Sequence, residues 1–354
     1  LQGREQSEDC LTLNVWKEAS AKGPRPVMVF IHGGSSISGS GSFDAVHGTR
    51  LAEEGVVAVT FNYRLGVLGY FAHPALTASA PPDEPLASFG LMDQIAVLRW
   101  VRDNIAAFGG DPGKVTIFGS SAGGQAVNYL MAVPAARGLF QRAVSQSSAL
   151  NMFQPYRLNQ PGGGYPSLGR PQGGKPSYEE LGTRLAKALG VDDGPQAADR
   201  LRDIPVASLM QAQDKGFGGL FEPVIDGRLF KEPVGVTFRE GREAPVPFIA
   251  GATDWEGSLV APYGGRFLGL RLASMGMTHE DAARLHGQVE DATLAQQLET
   301  DSFLGSQRWL AKRHALNGHP AWLYFFTYKL EAHRHQFPGA PHGAEVRFVF
   351  GTLE

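Results

Sequence analysis

Short apolar runs of similar length are the feature of this sequence that most constrains its fold. They occupy residues 27–31, 56–61, 115–118, 247–251 and 322–327, almost without polar side chains. Such runs are typical of strands that are covered on both faces of a parallel sheet. Alternating Leu11, Leu13 and Val15 predict one further strand, which is half exposed.

Segments with the apolar spacing of a helix lie between some of the apolar runs. Apolar residues recur every three or four positions at Leu91, Ile95, Leu98, Val101 and Ile105. This spacing predicts an amphipathic helix, and a second helix is expected over residues 122–131. Strands and helices therefore alternate along the chain. The sequence predicts an α/β fold with a mostly parallel central sheet and helices on both faces.

One long segment departs from this alternation. Residues 151–176 are rich in Gly, Pro and Gln and have no period, which indicates an excursion over the surface. Residues from about 177 to 220 have a helical pattern. We interpret residues 151–220 as a lid or pocket-wall insertion in a single domain that spans 1–354. Because the chain begins without Met and ends directly after an apolar run, we expect this domain to be incomplete at both termini.

Charge and composition exclude several classes of partner. The chain has 32 Lys and Arg and 35 Asp and Glu residues, a net charge of −3, so no electrostatic case exists for nucleic acid. No apolar run approaches the roughly 20 residues that a membrane helix needs. His333 and His335 lack a second ligand cluster, and we expect no metal or cofactor. A small molecule fits best, whereas compartment and oligomeric state stay open.

A sharp glycine-rich turn follows the run at residues 115–118. Gly119-Ser120-Ser121-Ala122-Gly123 is the single G-x-S-x-G motif in the sequence, and it lies between a predicted strand and a predicted helix. This context is that of a nucleophile elbow, in which a strained turn exposes the serine oxygen. The motif predicts Ser121 as a nucleophile, and the alternative is a glycine turn with a bystander serine.

A serine nucleophile needs a histidine base and a carboxylate that orients it. Glu256 follows the run at 247–251, and His342 follows the run at 322–327. Both lie beyond the carboxyl end of a strand, where ligands bind in open α/β sheets. From spacing alone, either could be a surface-loop residue, and Asp254 could replace Glu256 as the acid.

Ester attack also requires hydrogen-bond donors for the oxyanion. His32-Gly33-Gly34-Ser35, after the run at 27–31, is similar to the HGGG-type loop that supplies them. The amide of Ala122, the residue after the nucleophile, is a further candidate donor. A strand-end histidine followed by an ordinary turn is the alternative.

Several motifs together resemble the type-B carboxylesterase family of α/β-hydrolases, and in particular its bacterial para-nitrobenzyl-type esterases. The resemblance extends from about residue 7 to the end and is weakest between 151 and 215. Besides the elbow, the motifs are Glu8-Asp9-Cys10-Leu11-Thr12-Leu13-Asn14-Val15-Trp16, Asn62-Tyr63-Arg64-Leu65-Gly66, Gly90-Leu91-Met92-Asp93-Gln94, Phe108-Gly109-Gly110-Asp111-Pro112, Pro223-Val224-Ile225-Asp226-Gly227, Asp254-Trp255-Glu256-Gly257 and His342-Gly343-Ala344-Glu345.

The resemblance implies a serine carboxylesterase that hydrolyses small-molecule esters through an acyl-enzyme. It implies Ser121 as nucleophile, Glu256 as triad acid and His342 as general base. It also implies an oxyanion hole formed by the amides of Gly34, Ser35 and Ala122, and a buried salt bridge between Arg64 and Asp93.

The sequence also departs from the family pattern at several positions. Ser35 stands where a third glycine or an alanine is usual, but its amide is retained, so we expect the oxyanion hole to be retained as well. Ser36 stands where an aromatic residue is usual, so we expect an open pocket on that side. Ser120 replaces the acidic residue that usually precedes the nucleophile, which removes a negative charge beside His342. A lipase or amidase could use the same triad, and a non-catalytic adhesion module could use the same fold. The adhesion branch loses the nucleophile, whereas Ser121 is present.

Overall fold

The computed structural model describes residues 7–20, 23–148, 156–161, 176–217 and 222–353. In these residues one seven-stranded sheet has the order β1-β3-β2-β4-β5-β6-β7. Only β1 runs antiparallel to its neighbour, and the other neighbouring pairs are parallel. The strands are β1 Leu13–Trp16, β2 Arg25–Ile31, β3 Val57–Phe61, β4 Gly110–Ser120, β5 Arg142–Gln146, β6 Phe248–Thr253 and β7 Ala321–Phe326.

Helices fill most of the segments between strands. The α-helices are α1 Thr49–Glu53, α2 Gly66–Gly69, α3 Pro74–Ser79, α4 Phe89–Asn104, α5 Ala122–Ala132, α6 Tyr178–Ala188, α7 Ala197–Arg202, α8 Val206–Ala212, α9 Val234–Arg239, α10 Leu268–Met275, α11 His279–His286, α12 Asp291–Leu316 and α13 Ala344–Phe350. Short 3-10 helices are Asp44–Val46, Ile105–Phe108, Pro134–Ala136, Glu256–Leu259, Ala261–Phe267 and Glu331–His333, and Gln213–Phe217 is a π-helical turn. In the part of the chain that the structure describes, none of the helices is both long and apolar enough to cross a bilayer.

The sheet is covered on both faces, as the apolar runs predict. Val29 packs in a core cluster with residues of α4 and α5. The next residue, Phe30, points to the opposite face, where its ring lies 5.0 Å from that of Phe118 and 4.9 Å from that of Phe350 in α13. Because successive side chains of a strand alternate between faces, both faces must be buried for such a run to be stable. The predicted α/β architecture is confirmed.

The motif residues Arg64 and Asp93 are paired, as the resemblance implies. Nε and Nη2 of Arg64 donate to the two carboxylate oxygens of Asp93, each at 2.9 Å. The backbone amide of Arg64 donates to the same carboxylate at 2.9 Å. The Asp93 side chain is 10% exposed, but that of Arg64 is 37% exposed. The salt bridge is therefore only partly buried, because the Asp93 carboxylate is shielded from solvent and the Arg64 guanidinium is not.

Two strands differ from the sequence-based interpretation. The pattern did not predict β5, because Ala143 and Val144 are its only apolar residues. The run at 322–327 forms β7, and within the described residues Trp322, Leu323 and Phe325 of this strand are 55%, 53% and 56% exposed. Among the described strands, β7 pairs only with β6 and lies at the sheet edge. Apolar content alone does not distinguish an edge strand from a central one.

The predicted insertion is described only in part, since residues 149–155, 162–175 and 218–221 lie outside the described ranges. The helical pattern from 177 onward corresponds to α6, α7 and α8. Tyr156 and Leu158, expected on the surface, are buried at 6% and 4% exposure, and a bridge joins Arg157 between them to Ile225. A lid or pocket-wall role for 151–220 stays a prediction.

Candidate active site

Ser121 lies at a sharp turn between β4 and α5. Its φ of 59° is positive, which is a strained conformation for a residue with a side chain. Its backbone amide donates to the carbonyl of Gln146 at the end of β5, at 2.9 Å. A Cβ on Gly123 would lie 1.9 Å from the carbonyl oxygen of Ile31, so only glycine lets α5 approach β2 this closely. The turn has the geometry of the predicted elbow.

Glu256 and His342 meet although 86 positions separate them in sequence. Oε2 of Glu256 is hydrogen-bonded to Nδ1 of His342. The other carboxylate oxygen accepts from the backbone amide of Thr253 at 2.8 Å, and Glu256 is fully buried. A buried carboxylate that is hydrogen-bonded at both oxygens holds its imidazole partner in one orientation.

The loop that carries His342 is itself held by the turn after β6. The His342 amide donates to Oγ of Ser258 at 2.8 Å. The Ala340 amide donates to Oδ1 of Asp254 at 2.6 Å. The imidazole also makes an edge contact with the ring of Phe303, with centroids 5.2 Å apart. Asp254 thus bonds to the loop backbone, whereas Glu256 bonds to the imidazole.

Two loops approach the elbow that carries Ser121. A Cβ on Gly343 would lie 3.8 Å from Oγ of Ser120, which places the His342 loop beside the elbow. A Cβ on Gly33 would lie 3.0 Å from Cβ of Ser121. Nε2 of His342 is buried and has no hydrogen-bond partner within the described residues. The two loops, the elbow and the turn that carries Glu256 follow β2, β7, β4 and β6, so they gather at the carboxyl edge of the parallel strands.

The predicted oxyanion-hole amides have no competing acceptor. Within the described ranges, the N–H groups of Gly34, Ser35 and Ala122 donate no hydrogen bond. Gly34 and Ser35 have positive φ values of 110° and 54°, and Ala122 is the first residue of an 11-residue helix. The partial positive charge at a helix N-terminus favours an anion there. These amides can therefore bind a developing negative charge.

The departures from the resembled family at Ser36 and Ser120 are buried. Ser120 is 4% exposed and Ser36 is 8% exposed. The Ser36 side chain hydrogen-bonds the hydroxyl of Tyr70, whose pKa is raised by burial. The Tyr70 side chain thus lies beside Ser36, on the side where the sequence predicts an open pocket. The predicted opening of the pocket stays a prediction.

Two buried carboxyl groups near His342 were missed by the sequence analysis. Glu345, 3% exposed, accepts from Oγ of Ser147 at 2.6 Å and from the hydroxyl of Tyr324 at 3.1 Å. Burial raises its pKa, which the hydrogen bond from Ser147 opposes. Glu299 is paired with Arg271, and burial raises the pKa of Glu299 as well. Of the two, Glu345 could have been found from the sequence, because it is the last residue of the motif His342-Gly343-Ala344-Glu345.

Comparison with known proteins identifies the family of this chain. The model of the carboxylesterase family matches residues 1–268 of the 354 in the chain. The chain belongs to the carboxylesterase family. It is accordingly a carboxylic ester hydrolase with the α/β-hydrolase fold, and the family supports small-molecule esters as substrates.

Individual carboxylesterases match over most of the chain. It is 33% identical to para-nitrobenzyl esterase of Bacillus subtilis, over 99% of this chain and 68% of that protein. It is 36% identical to cholinesterase 1 of Branchiostoma lanceolatum, over 73% of this chain and 70% of that protein. A solved carboxylesterase of Geobacillus stearothermophilus superposes with a TM-score of 0.79 at 31% identity, over 98% of this chain and 70% of that one. The chain thus spans about two thirds of the length of these relatives.

Proposed function

We propose that this carboxylesterase hydrolyses esters through a Ser121–His342–Glu256 triad and a covalent acyl-enzyme. The observation that carries the proposal is the fully buried Glu256 carboxylate hydrogen-bonded to Nδ1 of His342. With Nδ1–H donated to the carboxylate, Nε2 is left unprotonated and can act as a base. Glu256 also stabilises the imidazolium that forms during the reaction.

In the proposed acylation step, Oγ of Ser121 attacks the ester carbonyl carbon, and its proton moves to Nε2 of His342. The carbonyl π electrons move to oxygen, and the amides of Gly34, Ser35 and Ala122 stabilise this oxyanion. When the tetrahedral intermediate collapses, the bond to the alcohol oxygen breaks. The alcohol leaves with the proton from His342, and the acyl group stays on Ser121.

Deacylation repeats the sequence with water as the nucleophile. His342 takes a proton from water as its oxygen attacks the acyl carbon, and the same amides hold the oxyanion. Collapse breaks the ester bond to Ser121, and the proton returns to its Oγ. The products are a carboxylic acid and the free enzyme.

Labelling with a fluorophosphonate probe tests the nucleophile. The probe should modify Ser121, and Ser121→Ala should lose both labelling and turnover while keeping its melting temperature. Ser120→Ala is the matched control, and it should still be labelled. Labelling that persists in Ser121→Ala would refute the assignment, and an unlabelled parent protein would favour the adhesion module.

Pre-steady-state kinetics test the acyl-enzyme and the type of substrate. p-Nitrophenyl acetate should release a burst of nitrophenol close to one equivalent per active site if deacylation is slower than acylation. Comparing acetate, butyrate and octanoate esters ranks the preferred acyl size, and an anilide of the preferred acid measures amidase activity. A preference for octanoate would point to a lipase-like pocket.

A further inference from the structure

His32 is buried directly behind the predicted oxyanion loop. It follows β2 and is 4% exposed. Nδ1 of its ring lies 2.8 Å from the carbonyl oxygen of Gly33. A carbonyl oxygen can only accept a hydrogen bond, so Nδ1 must carry the proton. The histidine therefore holds the carbonyl of the first glycine in the loop.

The ring is fixed in place from several sides. It stacks on Tyr63, with centroids 4.4 Å apart and planes at 22°. The Tyr63 hydroxyl donates to the backbone carbonyl of His32 at 2.7 Å. A Cβ on Gly39 would lie 2.3 Å from Nδ1, so the chain passes close over the ring where only glycine fits. The donor nitrogen thus has little freedom to leave the Gly33 carbonyl.

The imidazole is neutral near pH 7. Burial lowers the pKa of His32 from 6.5 to about 4, and the hydrogen bond to Gly33 opposes this only in part. Nε2 is buried and has no partner in the described part of the chain, which agrees with the absence of a proton there. A single proton on Nδ1 gives the ring one donor, directed at Gly33.

Holding this carbonyl also orients the next amide. The C=O of Gly33 and the N–H of Gly34 belong to one trans peptide unit and point in opposite directions. Because glycine residues flank this peptide, its plane can rotate more easily than most. With the carbonyl bound to His32, the Gly34 N–H points away from the ring. Gly33 itself packs against Ser121.

We propose that His32 is a positioning residue for the oxyanion hole: by binding the Gly33 carbonyl, it directs the Gly34 amide toward the carbonyl oxygen of an ester at Ser121. The inference rests on the proposed function. His32 does not touch the substrate, and its contribution acts through the peptide plane. Without it, the Gly33–Gly34 peptide can turn and withdraw one donor.

The test compares His32→Phe with His32→Asn. Phenylalanine keeps a ring against Tyr63 but has no donor, whereas the side-chain nitrogen of asparagine can replace Nδ1. Loss of one oxyanion donor costs about 10²-fold to 10³-fold in kcat, so His32→Phe should lose about 100-fold with KM changed less than about threefold. His32→Asn should stay within about tenfold of the parent.

Affinity for a trifluoromethyl ketone separates positioning from general damage. The ketone forms a hemiketal oxyanion on the nucleophile, so its Ki should rise about 100-fold in His32→Phe, in step with the loss in kcat/KM. His73→Phe is the matched control. His73 is also buried, its Nδ1 accepts from the backbone amide of Ala75, and its ring stacks on Phe71. This control should leave both quantities unchanged.

The inference is overturned if His32→Phe keeps parental kcat and Ki, or if His32→Asn is impaired as strongly as His32→Phe. If His32→Phe does not fold, His32→Gln replaces it, because its side-chain nitrogen reaches one bond too far. The parental activity of His32→Gln would then overturn the inference. Failure of the proposed function is seen separately, because the parent protein would then carry no label at Ser121.

Discussion

The carboxylate of Asp254 accepts a hydrogen bond from the backbone amide of Ala340 at 2.6 Å. This bond joins the turn after β6 to the loop that carries His342. Two positions further along the turn, the Glu256 carboxylate bonds to the imidazole itself. The two carboxylates therefore have different partners: Asp254 bonds to the loop backbone, and Glu256 bonds to the imidazole of His342.

Amide substitutions of these acids should have unequal effects. Glu256→Gln should lower kcat by roughly three to four orders of magnitude, because the histidine then takes the wrong tautomer. Asp254→Asn should stay within about tenfold of the parent, since its amide oxygen can still accept from Ala340. Turnover of p-nitrophenyl acetate measures both. The reverse ranking would make Asp254 the triad acid.

A carboxylate introduced at Ser120 should change the pH dependence of catalysis. Ser120 is buried, and its Oγ faces the Gly343 position next to His342. A negative charge there would favour the imidazolium, so Ser120→Glu should move the acidic limb of the kcat/KM profile to higher pH. Ser120→Gln, similar in size and uncharged, is the control and should leave the limb in place. Equal profiles for both variants would contradict the prediction.

Gly33→Ala should damage the site without unfolding the protein. The added Cβ would lie 2.7 Å from the Ser120 carbonyl oxygen and 3.0 Å from Cβ of Ser121. The oxyanion loop and the elbow must then move apart, and a displacement of about 1 Å can cost about 10²-fold in kcat. Gly269→Ala in α10 is the control, because its Cβ meets no atom within 4 Å. Parental kcat in Gly33→Ala would show that this contact is dispensable.

His32 should also contribute to acid sensitivity. Its pKa is lowered from 6.5 to about 4 in the folded protein, so the unfolded chain binds this proton first as pH falls. The stabilisation is complete above pH 6.5 and is lost on the way to about pH 4, by up to about 3 kcal/mol. Urea unfolding at about pH 7 and pH 4.5 measures how much free energy of unfolding the parent and His32→Asn each lose. The difference between the two losses reports on His32, because the other titrating groups contribute equally to both proteins. An equal loss of stability in both proteins would contradict the prediction.

The sequence by itself determined the local features of this protein. Continuous apolar runs predicted β2, β3, β4 and β6, and helical spacing predicted α4 and α5. Burial on both faces of a sheet, or on one face of a helix, requires these patterns among residues close in sequence. The glycine pattern around Ser121 predicted a turn between a strand and a helix, and this turn is present. Motifs in one order indicated the carboxylesterase family, which the family model confirms.

The tertiary structure decided what depends on partners distant in sequence. The strand order and the short strand β5 follow from which strands pair, and no local period encodes that pairing. Which carboxylate contacts the imidazole likewise depends on where a loop 86 residues away comes to lie, since Asp254 and Glu256 stand in one turn. The direction of the Gly33 carbonyl is also set by packing, because a glycine peptide has little preference of its own.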